Sequence, residues 1–274
     1  MRKSIIIAVI AIIAFMSSCG GNAQNELVLA TTTSTQDSGL LDVLIPEFEK
    51  QSGYAVKTIA VGSGQAMAMG RRGEADVLLV HSPAEEKNFM AEGFGADRRI
   101  VMHNIFMIAG PSGDPAGISA CANAVEAFKK INSSKSVFVS RGDKSGTHSK
   151  ELGIWKSAGI APEPGEYYLE TGQGMGSTLM IASEKFGYTL TDNATFLAFK
   201  DKLALSVFLK NDTSLLNVYH VITINPERFK GINSAGAKAF AEFITSAKTQ
   251  NNIAEFGKGR FGVSLFVPDA PVGK

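Results

Sequence analysis

Four times along this chain a short apolar run breaks off into a turn of glycine, serine and threonine, and a helical pattern starts directly after it. The turns are Thr31-Thr32-Thr33-Ser34, Gly62-Ser63-Gly64, SRGDKSGT at 140–147 and GQGMGS at 172–177. The apolar runs before them, LVLA, YAVKTIAV, SVFVS and EYYLE, have strand length. The segments after them carry apolar residues at helical spacing. A further run, ADVLLVHSP, also ends in small polar residues. Repetition of strand, small-residue turn and helix argues for a parallel α/β sheet.

The remaining segments extend this pattern into two lobes. LLDVLIPEFEKQSG has helical spacing, with Pro46 expected to split it into two pieces. RRIVMHNIFMIAGPSGDPAGI is an apolar strand running into a Pro/Gly-rich break, read as a first crossing between lobes. LLNVYHVITINPERF is read as the return crossing, and SAGAKAFAEFITSAKTQNNIAEFG supplies closing helices. The expected division is 25–106 with 221–270 as lobe 1 and 107–220 as lobe 2. Two α/β lobes joined by two crossings enclose a cleft, and ligands of open α/β sheets bind beyond the carboxyl ends of the strands. The turns should therefore face that cleft.

The amino terminus reads as an export signal. Arg2 and Lys3 precede twelve apolar residues at 5–16, too few for a spanning helix of about 20, followed by Ser17, Ser18 and Cys19. Residues 1–18 are expected to be a signal peptide, and small residues ahead of Cys19 resemble a bacterial lipobox, with lipidation of the Cys19 thiol. Of 27 Lys+Arg against 26 Asp+Glu, removal of Arg2 and Lys3 leaves 25 against 26, a net −1. A nearly neutral exported chain gives no electrostatic case for nucleic acid. The second cysteine, Cys121, has no intramolecular partner once Cys19 is lipidated. The four histidines and two cysteines show no metal-ligand spacing.

Turns of this kind suit an anion. The first four N–H groups of a helix lack intrahelical partners and carry the positive end of its dipole. Glycine lets main chain approach closely, and serine and threonine hydroxyls donate. Arg141, a bulky permanent cation among small residues, supplies a charge-assisted and often bidentate contact to an oxyanion. Each turn alone is equally a helix cap; four in the same relation to strand and helix point to one pocket. Competing motifs are weak. Arg141-Gly142-Asp143 is a three-letter match, GQGMG lacks GxGxxG spacing, and no Walker lysine follows a glycine-rich loop. Ser145 and His148 lack a nucleophile elbow. His81, His103 and His220 read as core or surface residues, and Asp143 as a partner of Arg141 or Lys144.

LATTTSTQDSGLLDVLIPEFEKQSG, VGSGQA, GEADVLLVHSPAEE and SRGDKSGTHSKE together resemble bacterial tungstate-binding proteins, the periplasmic components of tungstate ABC importers. The resemblance runs through essentially the whole chain beyond the signal. It implies a type II periplasmic binding protein, each lobe a mixed, mostly parallel sheet flanked by helices, closing over a tetrahedral oxyanion. It implies tungstate or the nearly isosteric molybdate as cargo, a membrane permease and a cytoplasmic ATPase as partners, a lipid anchor at Cys19, no cofactor, no metal cation and no catalysis. The implied ligand residues are Thr32, Thr33, Ser34, Ser63, Arg141, Ser145 and Thr147, with main-chain N–H groups of Gly174, Met175 and Gly176. Which of Thr31, Thr32 and Thr33 points inward stays open, because adjacent residues at a strand end face opposite ways. A donor-only pocket suits a dianion, whereas partly protonated phosphate benefits from an acceptor such as Asp143. Sulfate or phosphate binding by the same fold is the alternative. A more distant one is an exported phosphoester enzyme with Asp143, Asp192 or His148 as its base.

Overall fold

The computed structural model of the protein describes residues 25–209 and 212–271; the expected signal peptide and Cys19 lie outside these. The chain runs β1 (Glu26–Thr32), α1 (Thr33–Asp37), α2 (Leu40–Ser52), β2 (Ala55–Val61), α3 (Ser63–Arg72), β3 (Val77–Val80), α4 (Pro83–Ala91) and β4 (Gly95–Pro111). It continues with α5 (Ala124–Ser133), β5 (Phe138–Ser140), α6 (Gly146–Ser157), β6 (Tyr168–Glu170), α7 (Met175–Glu184), β7 (Thr189–Asp192), α8 (Asn193–Phe199) and β8 (Leu205–Leu209). It closes with β9 (Leu216–Ile224), α9 (Ser234–Ile244), α10 (Ala247–Glu255), α11 (Lys258–Phe261) and β10 (Val267–Pro268).

The first sheet has the order β10-β4-β9-β3-β1-β2. β1 pairs parallel with β2 and β3, while β9 runs antiparallel between β3 and β4. β2, β1, β3 and β4 thus point one way, and β9 and β10 the other. The sheet is therefore mixed and mostly parallel in strand direction, as expected for each lobe. β9 brings the chain back from the second lobe and enters the sheet in reverse.

Helices cover both faces of this sheet, so its strands are apolar on both sides. Leu27, Leu29, Val77 and Leu79 pack with Leu40, Leu44 and Phe48 of α2 and Phe240 of α9. The alternate residues Ala30, Leu78 and Val80 pack with Ala66 and Met67 of α3 and Phe89 of α4. The helix expected to break at Pro46 does not. α2 runs unbroken from Leu40 to Ser52, with Pro46 inside it and exposed. A proline removes one intrahelical hydrogen bond and crowds the carbonyl four residues back, here Asp42 on the exposed side. Burial of Leu41, Leu44 and Phe48 on the opposite side, ~1.5–3 kcal/mol per side chain, outweighs that loss.

β4 is seventeen residues long and serves two sheets. Its first part, to Ile105, pairs with β9, and from Phe106 to Pro111 it pairs antiparallel with β7 and β8. Phe106 and Ile108 point into a core with Phe128, Phe138, Trp155, Tyr168 and Tyr188. Met107 and Ala109 face the other way, against Met175, Leu179 and Phe196. β5 pairs parallel with β6, and Phe138 bridges Tyr188 in the same sense. In both sheets the carboxyl ends of the parallel strands meet across one junction. Among the described residues no helix is long and apolar enough to cross a membrane.

Candidate functional site

The four turns converge at that junction. Thr32 ends β1 and caps α1, its Oγ1 accepting the Thr35 N–H at 3.3 Å. The next side chain, Thr33, faces the second lobe, where its Oγ1 accepts from Arg141 Nη2 at 3.0 Å. Ser34 turns back into the first lobe, with its Oγ 3.3 Å from His81 Nε2. Thr31 points into the sheet and donates to the Leu79 carbonyl at 2.9 Å. The question the sequence left open thus has a geometric answer: of the three threonines, Thr33 crosses to the other lobe.

Ser63 opens α3 and is fully buried, its Oγ accepting the His81 N–H at 3.4 Å. From the second lobe, Ser145 caps α6, its Oγ accepting the His148 N–H at 3.2 Å. The turn before it contains two left-handed residues, Gly142 (φ 61°) and Lys144 (φ 58°). Asp143 fastens the turn: Oδ1 accepts the Ser145 N–H at 3.1 Å, and Oδ2 accepts from Arg141 Nη2 at 2.5 Å. The expected pairing of Asp143 with Arg141 is present.

Glycines set how closely the lobes meet. A Cβ on Gly62 would lie 3.1 Å from Ser145 Cα, one on Gly64 2.8 Å from the Lys144 carbonyl oxygen, and one on Gly146 2.8 Å from the His81 carbonyl oxygen. Gly174, the cap of α7, would likewise bring a Cβ to 3.3 Å from Thr33 Cβ. Ser149 Oγ donates to Glu85 Oε1 at 3.1 Å and adds a polar contact between α6 and α4.

Arg141 is 1% exposed, yet among the described residues only Nη2 has partners; Nε and Nη1 are buried without any. The buried Oγ1 of Thr147, 1% exposed, is equally unpartnered. Buried polar groups are almost always hydrogen-bonded, so a guanidinium edge and a neighbouring hydroxyl left unmatched mark where an acceptor belongs. His148 Nδ1 accepts the Lys144 N–H at 3.0 Å.

Two predicted residues contribute less than their place in the motif suggests. Met175 is buried with its side chain in the second-lobe core, so only its main chain faces the junction. Gly176 gives its N–H to Asp37 Oδ2 at 3.2 Å, a carboxylate from α1 that the sequence reading passed over. Burial pushes the Asp37 carboxyl up, against the Gly176 hydrogen bond and the Arg141 charge, which lower it.

His81, read from sequence as a packing residue, lies directly under the site. Its ring is 3% exposed at the residue level and 4.7 Å from that of Tyr219. Burial, assisted by the Arg141 charge, lowers its pKa to about 4 and keeps it neutral. A histidine directly after a buried VLLV strand gave no local signal of this. Two of the three base candidates are fully engaged: Asp143 holds Arg141 and Ser145, and Asp192 accepts from Thr195 and Asn104. His148 is held through Nδ1 alone, its Nε2 having no partner among the described residues. Among the described residues no group of three His, Cys, Asp or Glu side chains is arranged to hold a metal ion.

Comparison with known proteins places the chain in a family. A PBP superfamily domain matches residues 19–248. The chain is 50% identical over 250 residues to a tungstate-binding protein of Peptoclostridium acidaminophilum, covering 90% of this chain and 87% of that one. The crystal structure of a tungstate ABC transporter protein from Geobacter sulfurreducens superposes with a TM-score of 0.77 at 45% identity, covering 86% of this chain and 100% of that one. The tungstate-binding protein from Desulfovibrio alaskensis G20 gives 0.73 at 41% identity, with 89% and 99% covered. Sharing their sequence over most of its length and their fold, the chain belongs to the PBP superfamily and, within it, to the family of these tungstate-binding proteins.

Proposed function

We propose that the protein is the exported, periplasmic substrate-binding component of a tungstate ABC importer. It takes the oxyanion between its lobes and delivers it to a membrane permease driven by a cytoplasmic ATPase. The observation that carries this reading is the unmatched edge of Arg141, whose Nε and Nη1 are buried without partners among the described residues. The guanidinium grips one side of the tetrahedron through that edge, and the free hydroxyl of Thr147 donates beside it. Ser63, Ser145 and Thr33 line the remaining sides, with Thr32, Ser34 and the Gly174-Met175 part of the fourth turn offering main-chain N–H groups at helix starts, while the Gly176 N–H is held by Asp37. Asp143 works on Arg141, not on the anion. Both its oxygens are engaged, which removes the acceptor that favours a protonated phosphate.

The lobes in this reading are 25–106 with 221–270 and 107–220. The switch of β4 partners at Ile105 and Phe106 supports the first boundary, whereas β9 pairs within the first sheet from Leu216 on, which favours a return crossing a few residues earlier than 220. Residues 1–18 act as signal peptide, and lipidated Cys19 tethers the chain to the membrane. Partition of the full chain into detergent, lost in Cys19→Ser, reads the anchor.

The binding test is a thermal-shift series with tungstate, molybdate, sulfate and phosphate. Ligand at a hundredfold over its Kd adds ~2.7 kcal/mol, a rise of roughly 5–10 °C for a chain of this size. Tungstate should produce that rise, phosphate none, and Arg141→Ala should abolish the response. A rise with phosphate alone returns Asp143 to the ligand, and no rise with any anion refutes the reading.

A further inference from the structure

Behind the first turn a chain of polar side chains runs from Ser34 through the first lobe to a buried carboxylate in the second. Asp192 is 1% exposed; its Oδ1 accepts from Asn104 Nδ2 at 3.2 Å and from the Thr195 N–H at 2.9 Å. Asn104 Oδ1 in turn accepts from Asn217 Nδ2 at 2.7 Å, and the same amide nitrogen reaches the Tyr219 hydroxyl at 3.0 Å. Asn217 therefore presents its carbonyl oxygen to His81, 2.8 Å from Nδ1. The last link is His81 Nε2 to Ser34 Oγ at 3.3 Å.

The direction of every link follows from its far end. A carboxylate oxygen that already takes a main-chain N–H can only accept, so Asn104 must offer it nitrogen. Each amide has one accepting and one donating end, which hands the same sense from Asn104 to Asn217 and on to the imidazole. This sense holds whether or not Asp192 is ionised, because a proton on Oδ2 would leave Oδ1 an acceptor. The imidazole is neutral and so carries one hydrogen, which the Asn217 oxygen claims at Nδ1. Nε2 is left with its lone pair.

We infer that His81 is a positioning residue of the anion site, held as the Nδ1–H tautomer by Asn217, Asn104 and Asp192, and that it draws the Ser34 hydroxyl hydrogen away from the anion. This rests on the oxyanion-binding reading above and refines it. Ser34 then serves the ligand through its main-chain N–H alone. With its hydrogen on His81, Ser34 Oγ accepts from Thr32 Oγ1 at 3.1 Å, and Thr32 Oγ1 in turn accepts from Thr35 Oγ1 at 2.7 Å, so the Thr32 and Thr35 hydrogens both stay within the turn. Thr31 donates to Leu79. Of the hydroxyls in TTTST, Thr33 keeps a free hydrogen, because it accepts from Arg141 and donates to nothing among the described residues. The run of hydroxyls that looks like a fivefold donor is thus one side-chain donor set by a one-way relay.

Two measurements on the full-length fold test this. Nitrogen-15 NMR of the histidine side chains, with and without tungstate, should show His81 with a pyrrole-like Nδ1 and a pyridine-like Nε2 in both. A proton on Nε2 in the tungstate complex overturns the inference, because Ser34 would then be released towards the anion. By calorimetry, Thr33→Val should weaken tungstate binding roughly 10- to 100-fold, the range for a hydrogen bond to a charged group, and Thr33→Ser should restore it. Unchanged affinity in Thr33→Val also overturns it. If the wild type binds none of the four oxyanions while His81 shows the Nδ1–H tautomer, the relay stands and the proposed ligand falls.

Discussion

Replacing Gly64 with alanine should strengthen the protein and weaken its binding. Gly64 is the second residue of α3, with φ outside the left-handed region. Alanine there removes the backbone freedom that glycine has in the unfolded chain, a gain of roughly 0.5–1 kcal/mol in a helix. That raises the ligand-free Tm by ~1–4 °C. In the closed arrangement the added methyl would stand 2.8 Å from the Lys144 carbonyl oxygen, well inside van der Waals contact. Lys144 is held in a left-handed conformation between Asp143 and the cap of α6, so its carbonyl is poorly placed to swing aside. The lobes must part by roughly half an ångström, an overpacking penalty of ~1–3 kcal/mol. If closure is what buries the anion, this appears as a 5- to 150-fold rise in Kd, about tenfold per 1.4 kcal/mol. No ligand donor has been removed. Calorimetric titration with tungstate and a ligand-free melting curve give both signs from one preparation. Wild-type affinity in Gly64→Ala would refute the reasoning, since binding would then not need the turns this close.

Thr147→Val deletes a buried hydroxyl that has no partner among the described residues. Ligand-free stability should hold or rise, because an unmatched buried hydroxyl is unfavourable. Tungstate affinity should fall roughly 10- to 100-fold; equal losses in stability and affinity would mean that the hydroxyl serves the fold. Two buried groups give opposed pH dependence. Burial lowers His81 from an ordinary 6.5 to about 4, so its contribution to stability is full above pH 6.5 and is lost as pH falls towards 4. Burial raises Glu151 from 4.5 to about 7, so its contribution is full below pH 4.5 and is lost as pH rises through 7. Relative to wild type, His81→Gln should gain stability on acidification from pH 6.5 to 4, and Glu151→Gln should lose it from pH 7 to 4.5. Denaturant melts at stepped pH check this, and parallel profiles for all three proteins would contradict it.

Much of the site was legible in the sequence because its pieces are local. A strand end, a small-residue turn and a helix start lie within ten residues of one another, and Arg141 stands out among them by size and charge. Asp143 was legible for the same reason, two residues from the guanidinium it holds. His81 and Asp37 were not. The part each plays depends on a partner across the fold: Asn217, 136 residues away, for His81, and Gly176, 139 residues away, for Asp37. Strand direction was hidden in the same way, because the alternation that marks β9 as a strand reads identically in either sense. Pro46 misled because a local rule was applied where tertiary burial decides.

The position of β9 has a further consequence for how the protein is made. It lies between β3 and β4 in the first sheet, yet follows the whole second lobe in the chain. Until it arrives, the fully buried edge of Val77–Val80 has no neighbour on that side. A central strand is thus delivered late, and it must close across more than a hundred residues of already synthesised chain. Such long-range closure is slow, and an uncovered apolar edge invites pairing with other chains in the meantime. The vulnerable interval in this protein's life is therefore the wait for residues 216–224.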